Sequence, residues 1–120
     1  MSGMGAEQEK LHACDASVTL AFSILGKRWN GMILATLGTG PLSFTALRRT
    51  VTGISDAVLS DRLAELTEAT LLTRHVDPGP PVTVSYALTP GGEKLLPVLQ
   101  QLGEWAADNL SQARETSATA

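Results

Sequence analysis

Two groups of residues in this 120-residue chain have the types and spacing to do chemistry. The first centres on Cys14, the only cysteine, with His12 two positions before it. A thiol at the start of a helix has a lowered pKa, because the helix N-terminus favours the thiolate, and a thiolate reacts with oxidants and electrophiles. Asp15 beside it opposes that effect. Two readings of Cys14 stay open: a reactive thiolate, or a small buried residue packed under a terminal helix, which is the plainer use of a single cysteine. As a metal pair, His12 and Cys14 lack a third ligand nearby, so no metal or cofactor is expected.

The second group is Ser55, Ala57, Ser60, Asp61 and Ala64. At 100° per residue, Ala57, Asp61, Ala64 and Glu68 share one side of a helix, with Ser60 beside them and Ser55 at its start. Leu59, Leu63 and Leu66 occupy the other side. Small and short polar side chains suit a helix that lies in a DNA major groove. Serine bonds several bases, aspartate accepts from cytosine N4, and alanine meets a thymine methyl. Arg48 and Arg49, ending the preceding helix, would neutralise phosphates, and Arg74 and His75 would lie near the backbone or minor groove. The bland alternative is a solvated face of Asp61, Glu65 and Glu68, with Arg62 paired to Glu65 or Asp61. Such an acidic face repels phosphate.

No constellation points to catalysis. Cys14 with His12 or His75 is the only thiol–imidazole option, and nothing arranges it. Gly38-Thr39-Gly40 lacks the spacing of a phosphate-binding loop. Trp29 and Trp105 read as core or interface residues. The chain is not expected to be an enzyme.

The positioning elements follow from local signals. A first helix is expected over Asp15–Leu25, with Asp15 or Ala16 near its cap, broken by Gly26. A second runs Lys27–Leu37, with Trp29, Ile33, Leu34 and Leu37 on one face, and Gly38-Thr39-Gly40-Pro41 stops it. Ser43 caps a short helix Phe44–Thr50, with Phe44 and Leu47 inward, and Ser55 caps the helix to about Ala69. Two strands, Leu71–Val76 and Val82–Leu88, flank the breaker run Asp77-Pro78-Gly79-Pro80-Pro81. In the second, Val82, Val84, Tyr86 and Leu88 alternate as the buried face. Thr89 then caps a last helix with Pro90 at its first position. Helix, hairpin, helix is the order of a winged helix-turn-helix.

Length and composition fit one α-rich domain over 1–120, ordered from about 12 to 110, with frayed termini. The net charge of −3 excludes a uniformly basic nucleic-acid coater. Residues 27–74 nevertheless sum to +2, whereas 1–26 and 75–120 sum to −2 and −3. One cysteine and the absence of a membrane-length apolar run imply a cytoplasmic protein. Leu11-His12-Ala13-Cys14 looks like a lipoprotein cleavage box, but Glu7 and Glu9 stand where its apolar stretch should be. Val18, Leu20, Ala21, Phe22, Ile24 and Leu25 cover most of the first helix. Leu95, Leu99, Leu102 and Ala106 line the last, with Leu96, Val98 and Trp105 beyond them. This surplus predicts a homodimer through the N- and C-terminal helices, with Phe22, Leu95, Leu99, Leu102 and Trp105 at the interface. A pocket between those helices and the DNA-binding unit would take a small apolar effector.

The ordered set of motifs from Cys14 to Trp105 resembles the HxlR-type regulators, winged-helix proteins of the MarR-like group. The set includes Leu25-Gly26-Lys27-Arg28-Trp29 (a glycine-lysine-tryptophan-like signature with one residue inserted), Ile33-Leu34, Gly40-Pro41, Phe44 and Leu47-Arg48-Arg49. It continues through Gly53-Ile54-Ser55, Leu59, Arg62-Leu63, Leu66, Leu71, Arg74, Pro81-Val82, Tyr86-Ala87-Leu88-Thr89, Gly92 and Trp105. The chain departs from the family pattern at Asp15, Ser43, Ala46, Ala57, Asp61 and Thr70. The resemblance implies a transcriptional regulator, a repressor by preference, that binds double-stranded DNA as a homodimer on a palindromic operator. It also raises a ligand or redox response through Cys14. The alternative is a winged-helix interaction dimer that has lost specific DNA binding.

Overall fold

The computed structural model describes residues 15–110. His12, Cys14 and both expected frayed ends lie outside the described residues. The order is α1 (15–25), α2 (Asn30–Thr36), a 3-10 turn (Leu37–Thr39), β1 (Leu42–Ser43), α3 (Phe44–Thr50) and α4 (Asp56–Glu68). Then come β2 (Leu72–Asp77), β3 (Thr83–Leu88) and α5 (Pro90–Asn109). The fold is mainly helical with a small antiparallel sheet, as expected of a winged helix-turn-helix.

Three helices start on the capping residues read from the sequence. Ser43 Oγ accepts from Ala46 N, Ser55 Oγ from Val58 N, and Thr89 Oγ1 from Gly92 N, at 3.1, 3.2 and 3.1 Å. Each bond satisfies one of the donors that a helix start leaves open. Pro90 at the first turn of α5 removes another such donor.

The second helix differs from expectation. It starts at Asn30 rather than Lys27, and Leu37 belongs to the 3-10 turn. Residues 26–29 form turns, and Trp29 adopts a left-handed conformation at φ 83°. Tertiary contacts override local helix propensity here. The Trp29 ring lies where a Cβ on Gly53 would meet it at 3.6 Å, and the Arg28 guanidinium lies over the ring, 4.6 Å from its centroid. Gly53 itself has φ 94°, a turn conformation that glycine adopts freely.

The sheet has the order β1-β3-β2, with β3 in the centre. β1 is absent from the sequence reading, since two residues are too few to show alternation. Its register sets Leu42 against Tyr86, and the β2–β3 ribbon runs from Leu72 opposite Leu88 to Asp77 opposite Thr83. Val82, expected on the buried face, lies outside the strand and is 67% exposed, because the ribbon tip extends past the core.

The core gathers Ile33, Leu34, Leu37, Leu47, Val51, Leu59, Leu63, Leu66, Leu72 and Tyr86. It fixes α4 by its leucine stripe and leaves the opposite side free. α5 is anchored where Gly92 approaches the Leu71 carbonyl, so close that a Cβ there would stand 2.3 Å from its oxygen. Beyond Leu99, every residue of α5 except Ala106 is exposed.

Candidate nucleic-acid interface

On α4, Ala57, Ser60, Asp61, Ala64 and Glu68 are all exposed, and they form one continuous outward face. Ser55 stands at its start with Oγ occupied as the cap, which leaves the hydroxyl hydrogen free to donate. Ser60, Ala64, Thr67 and Glu68 form one wall of a cleft of about 400 Å³, and Arg74 and Tyr86 of the ribbon form the other. Helix face and wing therefore meet at one concave surface. Arg74 reaches it because successive strand residues point to opposite sides, which sends the exposed His75 to the other side of the ribbon.

At the near end, Arg48 Nη1 lies 3.3 Å from both carboxylate oxygens of Asp56. Arg49 is exposed and makes no ion pair among the described residues. The cations expected to flank the helix are at its N-terminal end, one of them held by an acid of α4 itself.

Glu65 is not part of the outward face. Its carboxylate pairs with Lys27 and accepts a 2.9 Å hydrogen bond from Asn30, rather than pairing with Arg62. The hydrogen bond from the Lys27 ammonium, and then that from the Asn30 amide, hold the carboxyl below its ordinary value of 4.5. The acidic character expected of α4 is thereby reduced to Asp56, Asp61 and Glu68 on the exposed side. Sequence reading missed Asn30. A buried amide between Trp29 and Gly31 has no local signal, because its partners lie six and thirty-five residues away.

Of the residues expected at a dimer interface, Phe22, Leu102 and Trp105 are 53%, 40% and 54% exposed. Leu95 and Leu99 are half-buried and pack against the core of their own chain. Leu95 also lines an apolar cleft of about 470 Å³ with Leu20, Ile24, Leu25, Ala69 and Leu71, where the terminal helices meet the end of α4. Among the described residues no helix is long and apolar enough to cross a membrane, and no three metal-ligating side chains cluster.

The pattern of the HxlR-like helix-turn-helix family matches residues 24–114, the whole span from the end of α1 through α5. The chain belongs to the HxlR-like helix-turn-helix family. Among relatives, the transcriptional regulator YodB of Bacillus subtilis is 44% identical over 86 residues, 72% of this chain and 77% of YodB. A solved structure of YodB in its reduced form matches with a TM-score of 0.73 at 40% identity, covering 78% of this chain and 92% of that one. The redox regulator HypR in its reduced form matches with a TM-score of 0.76 at 27% identity, covering 82% and 98%. YodB has also been solved after diamide treatment and with quinone bound. Like these HxlR-type and MarR-like relatives, the protein is a transcriptional regulator with a helix-turn-helix domain, not an enzyme.

Proposed function

We propose that the protein is a sequence-specific DNA-binding repressor that acts in the cytoplasm as a homodimer. α4 would enter the major groove with Ser55, Ala57, Ser60, Asp61 and Ala64 toward the base edges. Arg48, Arg49 and Arg74 would hold phosphates, and His75, on the other side of the wing, would meet the backbone there. The observation that carries this reading is the concave surface between the small outward face of α4 and Arg74. Exposed apolar side chains on α1 and α5 support dimerisation through those helices. A two-fold dimer would take a palindromic site whose half-sites lie about one turn, ~10 bp, or a multiple apart. A gel shift with DNA upstream of the protein's own gene, at two salt concentrations, tests it. The alternative, an interaction dimer without specific DNA binding, is favoured by the exposed Asp56, Asp61 and Glu68; absence of any specific shift would select it.

The relatives solved in reduced, diamide-treated and quinone-bound forms favour an oxidant- or electrophile-responsive regulator, with Cys14 as the sensor. The apolar cleft at Leu95 is the candidate seat of a small apolar effector. Replacing Cys14 by Ser should abolish any loss of DNA binding caused by diamide. An unaltered response would return Cys14 to a packing role.

A further inference from the structure

Asn30 is fully buried, 0% exposed, and it is the only polar residue in that state among the described ones. Its Nδ2 donates twice: to the carbonyl of Ile24 at the end of α1, at 2.8 Å, and to Glu65 Oε1 on α4, at 2.9 Å. Both partners accept only, so the orientation of the amide is forced. An aspartate has no hydrogen to give, and a leucine of similar volume would donate nothing. The Oδ1 atom has no hydrogen-bond partner among the described residues. A buried amide with an unused acceptor is a costly way to fill space.

The neighbouring residues bind the same two elements together. Lys27, in the turn after α1, pairs with the other oxygen of Glu65. Trp29, one residue before Asn30, rests against Gly53 in the turn that leads into α4. The α1–α2 turn thus holds α4 both through its leading turn and through Glu65 at the start of its last turn. The apolar core alone would allow a leucine-lined helix to rotate or slide by small amounts, since such contacts are non-directional. Two hydrogen bonds from one amide group fix direction and distance.

We propose that Asn30 is a positioning residue for DNA reading: through Glu65 it sets the orientation of α4 relative to α1, and hence which base edges the outward face meets. The inference rests on the proposed DNA-binding role of α4. It also makes the end of α1 the point through which a displacement of the terminal helices reaches the recognition surface.

The test compares affinity for a selected operator duplex with affinity for random-sequence duplex, by fluorescence anisotropy, in the full-length protein and its variants. Asn30→Ala and Glu65→Ala should lower the operator-to-random ratio about tenfold. Affinity for random DNA and its salt slope should remain, because phosphate contacts do not need an exact helix orientation. Glu65→Gln, which keeps an acceptor for Asn30, should restore most of the ratio. Lys27→Met, which removes only the half-exposed ion pair and leaves both Asn30 hydrogen bonds in place, should change it far less than Asn30→Ala does. Glu65 is at the edge of the core, so its variants report even where Asn30→Ala does not fold. If the wild type discriminates and Glu65→Ala discriminates equally well, the inference is overturned while the DNA reading stands. Parallel loss of operator and random binding would mark Asn30 and Glu65 as folding residues only. A wild type without discrimination would overturn the DNA reading and the inference together.

Discussion

Arg48 of α3 and Asp56 at the first position of α4 form a two-point contact across the helix-turn-helix, with Nη1 3.3 Å from each carboxylate oxygen. Both side chains are more than half exposed, 51% and 61%, so the pair contributes ~1 kcal/mol or less. The arginine proposed to meet a phosphate is therefore held by an anion of α4, the proposed reading helix, and weakly enough to be released. Asp56→Asn should raise affinity for operator and random DNA alike, by up to about fivefold at low salt, the weight of an exposed pair. Arg48→Ala should weaken binding to all sequences and lower the salt slope by about one. An effect of Arg48→Ala confined to one operator position would contradict the phosphate assignment.

Thr70 follows α4 with φ 62°, a left-handed conformation. Its N–H bonds to the Thr67 carbonyl and that of Leu71 to the Leu66 carbonyl, the pattern of a helix stop that glycine favours. Thr70→Gly removes the strain of a branched side chain there, partly offset by greater freedom of the unfolded chain. Stability should rise by roughly 0.5–1 kcal/mol. Thermal unfolding followed by circular dichroism would register this as a Tm a few degrees higher; an unchanged or lower Tm contradicts it.

These cases separate what could be read from the chain from what could not. The caps at Ser43, Ser55 and Thr89, the leucine stripe of α4 and the hairpin were legible, because each depends on neighbours within a few residues. The short β1 and the late start of α2 were not. Leu42–Ser43 is a strand only because Tyr86 and Ser85 lie beside it. Likewise, residues 26–29 stay out of the helix while Gly53 and Glu65, far along the chain, hold Trp29 and Lys27. The outward face of α4 was legible as a periodicity, whereas the inward turn of Glu65 needed Lys27 and Asn30 in place.

The carboxyl of Glu65 is held below 4.5 by Lys27 first and Asn30 second. A carboxyl with a depressed folded-state pKa contributes stability that is fully present above its unfolded value and is lost as pH falls through its folded value. Stability should therefore fall as the solution is acidified below about pH 4.5. In Glu65→Gln that part of the decline should flatten. Urea denaturation at a series of pH values measures it, and identical profiles for the two proteins would remove Glu65 from the acid response.

Trp105, Leu102 and Phe22 present exposed apolar surface at the two ends of the chain's helical elements. Trp105→Glu would bury an unpaired charge in an interface built on α5 and should yield monomers in sedimentation velocity. Operator affinity should then drop about a hundredfold or more, through loss of two-site binding. A wild type that sediments as a monomer, or a variant that sediments like a dimeric wild type, would contradict the proposed interface.

The claim that α4 reads DNA sequence is tested most directly by selecting binding sites from a random duplex library with the purified wild-type protein. The expected result is an enriched palindrome with half-site centres about 10 bp, or a multiple of that, apart. Repeating the selection with Ser60→Ala/Asp61→Ala should change the preferred bases at symmetric positions and leave the spacing intact. A library with no enriched sequence, or the same motif from both proteins, would contradict the reading role of that face.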